Sequence, residues 1–229
     1  DALVKILHGN ITEPLIAKLK KDMPETYLGA IDRLAPINFL KRINDKITHI
    51  YQTGVKRTVE EGPESDQEAL DKYADSVGAN DEFNYNNELF NTFQYSLQSI
   101  AVDEDGKNYT VAVDNNMFIP VSLSPNRRNK MDLLILIMDK VGTDQIYWLW
   151  TDNQFAIIDG NGKLRCDLIE RQYPEGVFTG QTEEMLVNPF GKIPYQYLTA
   201  SKTSIMPEIA YDTLKLALVI PLIYTDMNY

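Results

Sequence analysis

Between Met131 and Leu198 the chain alternates apolar runs with turn-forming residues, and this stretch limits the possible folds more than any other. Asp132-Leu-Leu-Ile-Leu-Ile-Met138 leads through Gln145-Ile-Tyr-Trp-Leu-Trp-Thr151 to Gln154-Phe-Ala-Ile-Ile158, which turns back at Asp159-Gly-Asn-Gly162. Short apolar runs bounded by Gly, Asp and Asn read as strands, so the segment is predicted to be a meander. Ile146, Trp148 and Trp150 share one face of a strand and Tyr147 and Leu149 the other. A strand apolar on both faces is expected to be central or held between layers. Arg165 to Arg171 reads as a further strand ended by Tyr173-Pro-Glu-Gly176, and Phe178 to Glu184 as a polar loop or insertion. Asn188-Pro-Phe-Gly191 carries the residues of a β-turn, with Pro189 presetting φ and Gly191 free to take a positive one. With Pro194 it forms a rigid passage into a strand over Ile193 to Leu198.

Helical periodicity dominates what precedes this meander. Asp1 to Lys21 holds two short helical candidates separated by Gly9-Asn10, with Thr12 as N-cap and Asp22-Met-Pro-Glu25 as a break. From Pro36 to Glu61, Ile37, Leu40, Ile43, Ile47, Ile50, Tyr51, Val55 and Val59 recur every three or four residues. This predicts one helix of about seven turns, stopped by Gly62-Pro63. Asp66 to Val77 reads as an acidic helix, and Tyr85 to Ala101 as another, with Leu89, Phe93, Leu97 and Ile100 on one side. Three helices before the first strand exclude a simple βαβ alternation and point to an α+β fold. Tyr109–Val113 and Met117–Leu123 then flank Asp114-Asn-Asn116 as a predicted hairpin, with Pro120 demoting the second run to an edge or bent strand. A last helix is expected from Pro207, with Leu216 to Tyr224 buried and Pro221 kinking or restarting it. That apolar run is far shorter than the roughly 20 residues needed to span a bilayer.

The charge balance narrows function. Of 229 residues, 33 are acidic and 22 basic, giving a formal charge of −11. A protein that grips a DNA backbone needs the opposite surplus to displace counterions. The single Cys166 excludes an internal disulfide and suits a reducing compartment. No basic, apolar leader opens the chain. Its start without Met and its end inside an apolar helix read as those of a fragment.

Catalytic equipment is sparse. Asp159, Asn161, Asp167 and Glu170 sit at calcium-loop spacings, but Lys163 takes a ligand position and Leu164 replaces the turn glycine, so a hairpin turn is expected. Asp103-Glu-Asp-Gly106 reads as a strand-entry turn. His8 and His49 have no Cys or carboxylate at a recognisable metal spacing, and they read as ordinary helix histidines. No nucleophile elbow, phosphate loop or dinucleotide fingerprint occurs, and no cofactor or metal is implied. Scattered carboxylates leave a hydrolase pair open without singling one out. Arg127, Arg128 and Lys130, in the polar loop Ser124 to Lys130, form the one concentrated positive patch. It could touch phosphate or an acidic partner, and a solvated loop is the favoured reading. Trp148 and Trp150 read as core rather than a stacking platform. Asn10-Ile-Thr12 and Asn108-Tyr-Thr110 match glycosylation acceptors but carry little without a secretory leader.

The order of these elements resembles the wing region of tailed-bacteriophage portal proteins. The likeness runs from Pro36 to Tyr229. It rests on Val55-Lys-Arg-Thr-Val-Glu-Glu61, Asn87-Glu-Leu-Phe-Asn-Thr-Phe93, Leu133-Leu-Ile-Leu-Ile-Met-Asp139, Ile146-Tyr-Trp-Leu-Trp-Thr-Asp152, Ile157-Ile-Asp-Gly-Asn-Gly-Lys163 and above all Asn188-Pro-Phe-Gly-Lys-Ile-Pro-Tyr-Gln-Tyr197. The resemblance implies residues 1–35 as N-terminal short helices and 36–229 as a wing-like α+β domain, with 207–229 leading toward a stem. It implies a non-enzymatic subunit of a homo-oligomeric ring, usually dodecameric in that family, at one capsid vertex of the virion. The expected partners are the terminase motor, the capsid, the head-completion proteins and double-stranded DNA passing without sequence-specific contact; no membrane is involved. The stem, clip and crown are expected to lie outside these residues. A surface that repels DNA suits a conduit, and the helix predicted over Pro36 to Glu61 is the candidate face for a neighbouring subunit, in a heterologous contact. The alternatives are another tail or baseplate adaptor and, less favoured, a carboxylate-based hydrolase.

Overall fold

A computed structural model describes residues 1–48, 56–102, 108–124, 126–168, 186–207 and 211–227. The apolar meander forms as expected. Strands β3 (Phe118–Val121), β4 (Leu133–Val141), β5 (Asp144–Trp150), β6 (Gln154–Asp159) and β7 (Leu186–Val187) make a five-stranded antiparallel sheet in that order. β5 is its middle strand, and Pro120, which has no N–H to donate, lies on edge strand β3. The turn between β4 and β5 needs Gly142, whose φ is +65°. Leu134, Leu136, Ile146, Trp150, Phe155 and Ile157 are buried, and the Trp150 and Phe155 rings lie 4.1 Å apart. Each such side chain contributes about 1.5–3 kcal/mol when withdrawn from water.

The second sheet corrects two expectations. Residues Tyr85 to Ala101 are not one helix: α6 covers Ala79–Phe93, Gln94 turns to a φ of +65°, and β1 runs Tyr95–Val102. Leu97 matches the helical stripe only by coincidence, because Tyr95-Ser-Leu-Gln-Ser also alternates with period two. The predicted 109–123 hairpin is not a hairpin either. Asp114 to Met117 does turn, with the Met117 N–H donating to the Asp114 carbonyl at 2.8 Å. Yet β2 (Asn108–Val113) pairs with β1 while β3 pairs with β4. The turn therefore passes the chain between sheets, and the Asn115 amide anchors it by donating to the Tyr95 carbonyl at 2.8 Å.

Strand β8 (Tyr195–Thr199) joins the other side of β1, giving the antiparallel order β2-β1-β8. Register then sorts the side chains. Leu97, Val113 and Tyr197 share one face with Ser99, Val111 and Tyr195. Phe118 of the five-stranded sheet meets Tyr95 and Tyr197 edge-on at 5.8 and 6.3 Å, so this face looks toward that sheet. Ser96, Gln98, Ala112 and Leu198 share the opposite face, over which α6 packs. The molecule is α+β, with the three-stranded sheet held between a helix and a second sheet.

The helix expected over Pro36 to Glu61 is also corrected. Helix α4 spans Phe39–Ile47, capped by the Asn38 side chain, which accepts from the Lys41 N–H at 2.9 Å. Residues 49–55 lie outside the described residues, and Lys56 to Val59 is not helical. There the Gln67 side chain of α5 (Glu64–Ser76) accepts from the Val59 N–H and donates to the Arg57 carbonyl, supplying partners a helix would otherwise provide. The stripe holds only in part: Leu40 packs inward as expected and Asn44 is buried one turn on, whereas Ile43 and Ile47 are 59% and 57% exposed.

Helices α1 (Ala2–Leu7) and α2 (Thr12–Asp22) flank Gly9-Asn10 as expected, and a short α3 (Tyr27–Ile31) follows. Thr12 is not the cap; it is already helical, and the Asn10 side chain accepts from the Glu13 N–H instead. Leu3, Val4 and Leu7 pack into the same core as the strands, and Ile6, Ile11 and Leu15 pack with Ala217 and Leu218 of α7 (Tyr211–Met227). Helix α7 runs on through Pro221. It is not the buried helix predicted, because Leu216, Ile220 and Ile223 are exposed. Residues 208–210 lie outside the described residues. The strand expected over Arg165 to Arg171 is replaced, as far as it is described, by one bridge from Leu164 to Ile158 and a 3-10 turn at Cys166–Leu168. The Tyr173 to Gly176 stop and the Phe178 to Glu184 insertion lie outside the described residues. Among the described residues no helix is long and apolar enough to cross a membrane.

Candidate functional site

The Asn188 turn forms at the junction between the two sheets. Asn188 is buried, its Nδ2 donates to the carbonyls of Thr151 and Lys192 at 2.8 and 2.9 Å, and its Oδ1 accepts from the Phe190 N–H at 3.0 Å. The Asn188 N–H donates to the Asn153 carbonyl at 2.9 Å, and Asp152 Oδ1 accepts from the Ile193 N–H at 3.2 Å. Gly191 takes a φ of +63°, the freedom for which glycine is needed. Pro194 precedes β8, and Phe190 lies 6.3 Å from the Trp150 ring while remaining largely exposed. Both flanks of the turn are thus bonded to the bend between β5 and β6.

The basic loop converges on that same bend. Lys130 Nζ lies 3.5 Å from Asp132 and 3.9 Å from Asp152. Asp132 also accepts from the Leu123 N–H at 2.9 Å, and this backbone bond, followed by the Lys130 contact, holds its carboxyl below the usual range. The Ser122 hydroxyl donates to the Arg127 carbonyl at 2.9 Å. Arg127, Arg128 and Lys130 are all exposed, but the Lys130 charge is met by two carboxylates. The turn and the loop, distant in sequence, are joined through Asp152.

A separate cluster lines a cavity of about 670 Å³ between the sheets, beside the C-terminal end of α1 and the middle of α6. The Tyr85 hydroxyl donates to Asp114 Oδ1, and His8 Nε2 lies 2.6 Å from the Tyr85 oxygen and 3.6 Å from Asp114. Because the Tyr85 proton is given to Asp114, His8 Nε2–H is the donor to the Tyr85 oxygen. Burial first, then the bond to Asp114, pushes the Tyr85 hydroxyl far above its ordinary range. Tyr195, on the cavity wall, is pushed up to about 12 by burial alone. Such phenols are neutral donors at physiological pH. The remaining walls come mainly from Val111, Val113, Met117, Leu136 and Met138. The arrangement can hold an apolar group beside the His8, Tyr85 and Asp114 cluster.

Sequence reasoning placed His8 on its helix but missed Tyr85 and Asp114. Asp114 read as a hairpin residue, and only the passage between sheets brings it to Tyr85. The calcium-like loop is a turn: Asp159 Oδ1 accepts from the N–H groups of Asn161 and Lys163, which lower its carboxyl pKa, with the Lys163 bond the larger cause. Asp167 is paired with Arg165 at 2.8 Å. Among the described residues no group of His, Cys, Asp and Glu side chains could hold a metal ion. Trp150 is core, 1% exposed, with Trp148 packed against it. His49 and Asp103 to Gly106 lie outside the described residues. No protein-family model and no curated protein sequence matches the chain.

Proposed function

We propose that this chain is a structural subunit of a phage portal ring, its wing region, built around a conduit for DNA packaging and ejection. The observation that carries the reading is the path after β7. The Asn188-Pro-Phe-Gly turn, bonded at both ends to the β5–β6 bend, delivers the chain into β8 and on toward α7. Turn, strand and helix follow in the order that the resemblance implies. Two further features support it. The net charge of −11 disfavours a grip on DNA, and α4 presents Ile43 and Ile47 to solvent one helical turn apart. These side chains are assigned to a heterologous contact with a neighbouring subunit. A hydrolase needs convergent carboxylates, whereas the larger cavity is lined by one, Asp114. In this reading the ring docks the terminase motor and head-completion proteins at the capsid vertex.

Electron microscopy and native mass spectrometry of the full gene product test the proposal. Closed rings with a channel wide enough for duplex DNA are the expected result, and Ile43→Glu with Ile47→Glu dissolves them without unfolding the subunit. A ring of different symmetry without such a channel favours the adaptor reading. A monomer or dimer at all concentrations overturns both.

A further inference from the structure

Among the described residues, the wall of the 670 Å³ cavity between the two sheets carries one carboxylate, Asp114, and no Lys or Arg. We propose that this cavity binds a small organic cation, a protonated amine carried on an aromatic or aliphatic body, with the ammonium at Asp114. Most of the wall is hydrocarbon, from Val111, Val113, Met117, Leu136 and Met138. Its polar side is one contiguous group. His8 Nε2 lies 2.6 Å from the Tyr85 oxygen and 3.6 Å from Asp114 Oδ1, and the Tyr85 hydroxyl donates to that same Asp114 oxygen. All three side chains line the cavity, and the group can be reached, since His8 and Asp114 are 47% and 25% exposed. Tyr85 occupies only Oδ1, whereas an ionised carboxylate accepts on both oxygens.

The surroundings extend the negative field. Glu82 and Glu88 flank Tyr85 about one helical turn away in either direction along α6. Glu82 accepts from the N–H of Ala112, itself a wall residue, at 2.9 Å. After burial and the Asp114 bond, the charges of Asp114, Glu88 and Glu82 each help to keep the Tyr85 proton in place. Lys41, whose charge reaches Glu88, is itself paired with Asp45 at 2.9 Å. A carboxylate ligand would therefore meet like charge, and a neutral one would gain only the apolar walls. A protonated amine gains both the walls and a charge-assisted hydrogen bond, which is strengthened where water is partly excluded. The volume lies in the range of small-molecule sites and leaves room for a fused aromatic ring.

The test titrates the isotope-labelled 229-residue protein with three indoles of similar shape, followed by methyl NMR. Tryptamine is the cation, tryptophol its neutral counterpart and indole propionate the anion. Tryptamine is expected to saturate and to shift the methyl signals of the apolar wall. Tryptophol is expected to bind about ten-fold more weakly or worse, the loss of one charge-assisted hydrogen bond, and indole propionate more weakly still. Asp114→Asn is expected to weaken tryptamine by about ten-fold or more while leaving tryptophol unchanged. A cation drawn only by the net charge of −11 would bind Asp114→Asn as well as the wild type. That result in a folded variant overturns the proposal, as do equal affinities for tryptamine and tryptophol, or wall methyls unshifted up to the solubility limit. If Asp114→Asn does not fold, the ranking of the three ligands on the wild-type protein and the methyls they move decide. Ring formation plays no part in these measurements.

Discussion

The five-stranded sheet and the seam between α6 and the three-stranded sheet are both buried, yet they are filled with opposite chemistry. In the first, Leu134, Trp150, Phe155 and Ile157 leave almost no surface to water. In the second, Ser96 Oγ, Asn86 Oδ1 and Gln98 Nε2 are withdrawn from water with no protein partner. Each such orphan costs about 1–3 kcal/mol. Stability therefore resides in the meander, while the seam retains polar groups at a cost stability alone does not explain.

The hardest way to break this contrast is to cut the meander's core. Trp150→Ala is expected to cost about 3–5 kcal/mol in denaturant unfolding, the range for a buried aromatic truncated to Ala. A loss below about 1 kcal/mol would show that the meander does not carry the fold. Asn188→Ala comes next. It removes three side-chain bonds of about 1 kcal/mol each, and the same unfolding assay checks the expected total of about 3 kcal/mol. Gly191→Ala is expected to cost about 1 kcal/mol, since a side chain at φ +63° is strained although nothing lies within 4 Å of the added carbon. Ser96→Ala sharpens the other half of the comparison. Deleting a buried hydroxyl without a partner is expected to leave stability unchanged or raise it by up to about 1 kcal/mol. A clear loss would mean the seam is satisfied after all.

Two carboxylates, Asp159 of the meander and Glu88 on the side of α6 near Lys41 and Asp45, differ in the sign of their pH response, the smallest effect of the set. Asp159 is lowered from 3.8 by backbone N–H bonds, so its contribution is present above that value and fades as pH falls through the folded pKa. Glu88 of α6 is raised from 4.5, chiefly by burial. Its contribution is therefore fullest below 4.5 and is lost as pH rises through the folded pKa. Thermal melts across pH 3 to 7 check this: Glu88→Gln is expected to raise Tm at pH 7, and Asp159→Asn to lower it there and flatten the acid limb. The reverse pattern would contradict both assignments.

Much of the candidate site was legible piecewise. Asn188, Pro189 and Gly191 announce their turn because a preset φ and a free one are local properties. Arg127 and Lys130 announce a basic loop for the same reason. That both meet at Asp152 was not legible, since nothing local to residues 127–130 refers to residues 151–153. Tyr85 and Asp114 were missed on the same ground.

By itself the sequence determined the α+β class, the three central strands of the meander, the restriction of Pro120 to an edge or a bend and the acidic helix α5. Each follows from periodicity or backbone restriction within a few residues. Tertiary structure decided the rest. Residues 95–102 satisfy both helical and strand periods, and the strand wins because β2 and β8 supply backbone partners on both sides of it. Asp114 to Met117 fits a hairpin locally, but its flanking strands find different neighbours. The stripe of Leu40, Ile43 and Ile47 fits one buried face, but of these only Leu40 turns inward, with buried Asn44 one turn on. In each case the local energies are nearly balanced, and contacts far apart in sequence, which exist only once the chain has packed, tip them.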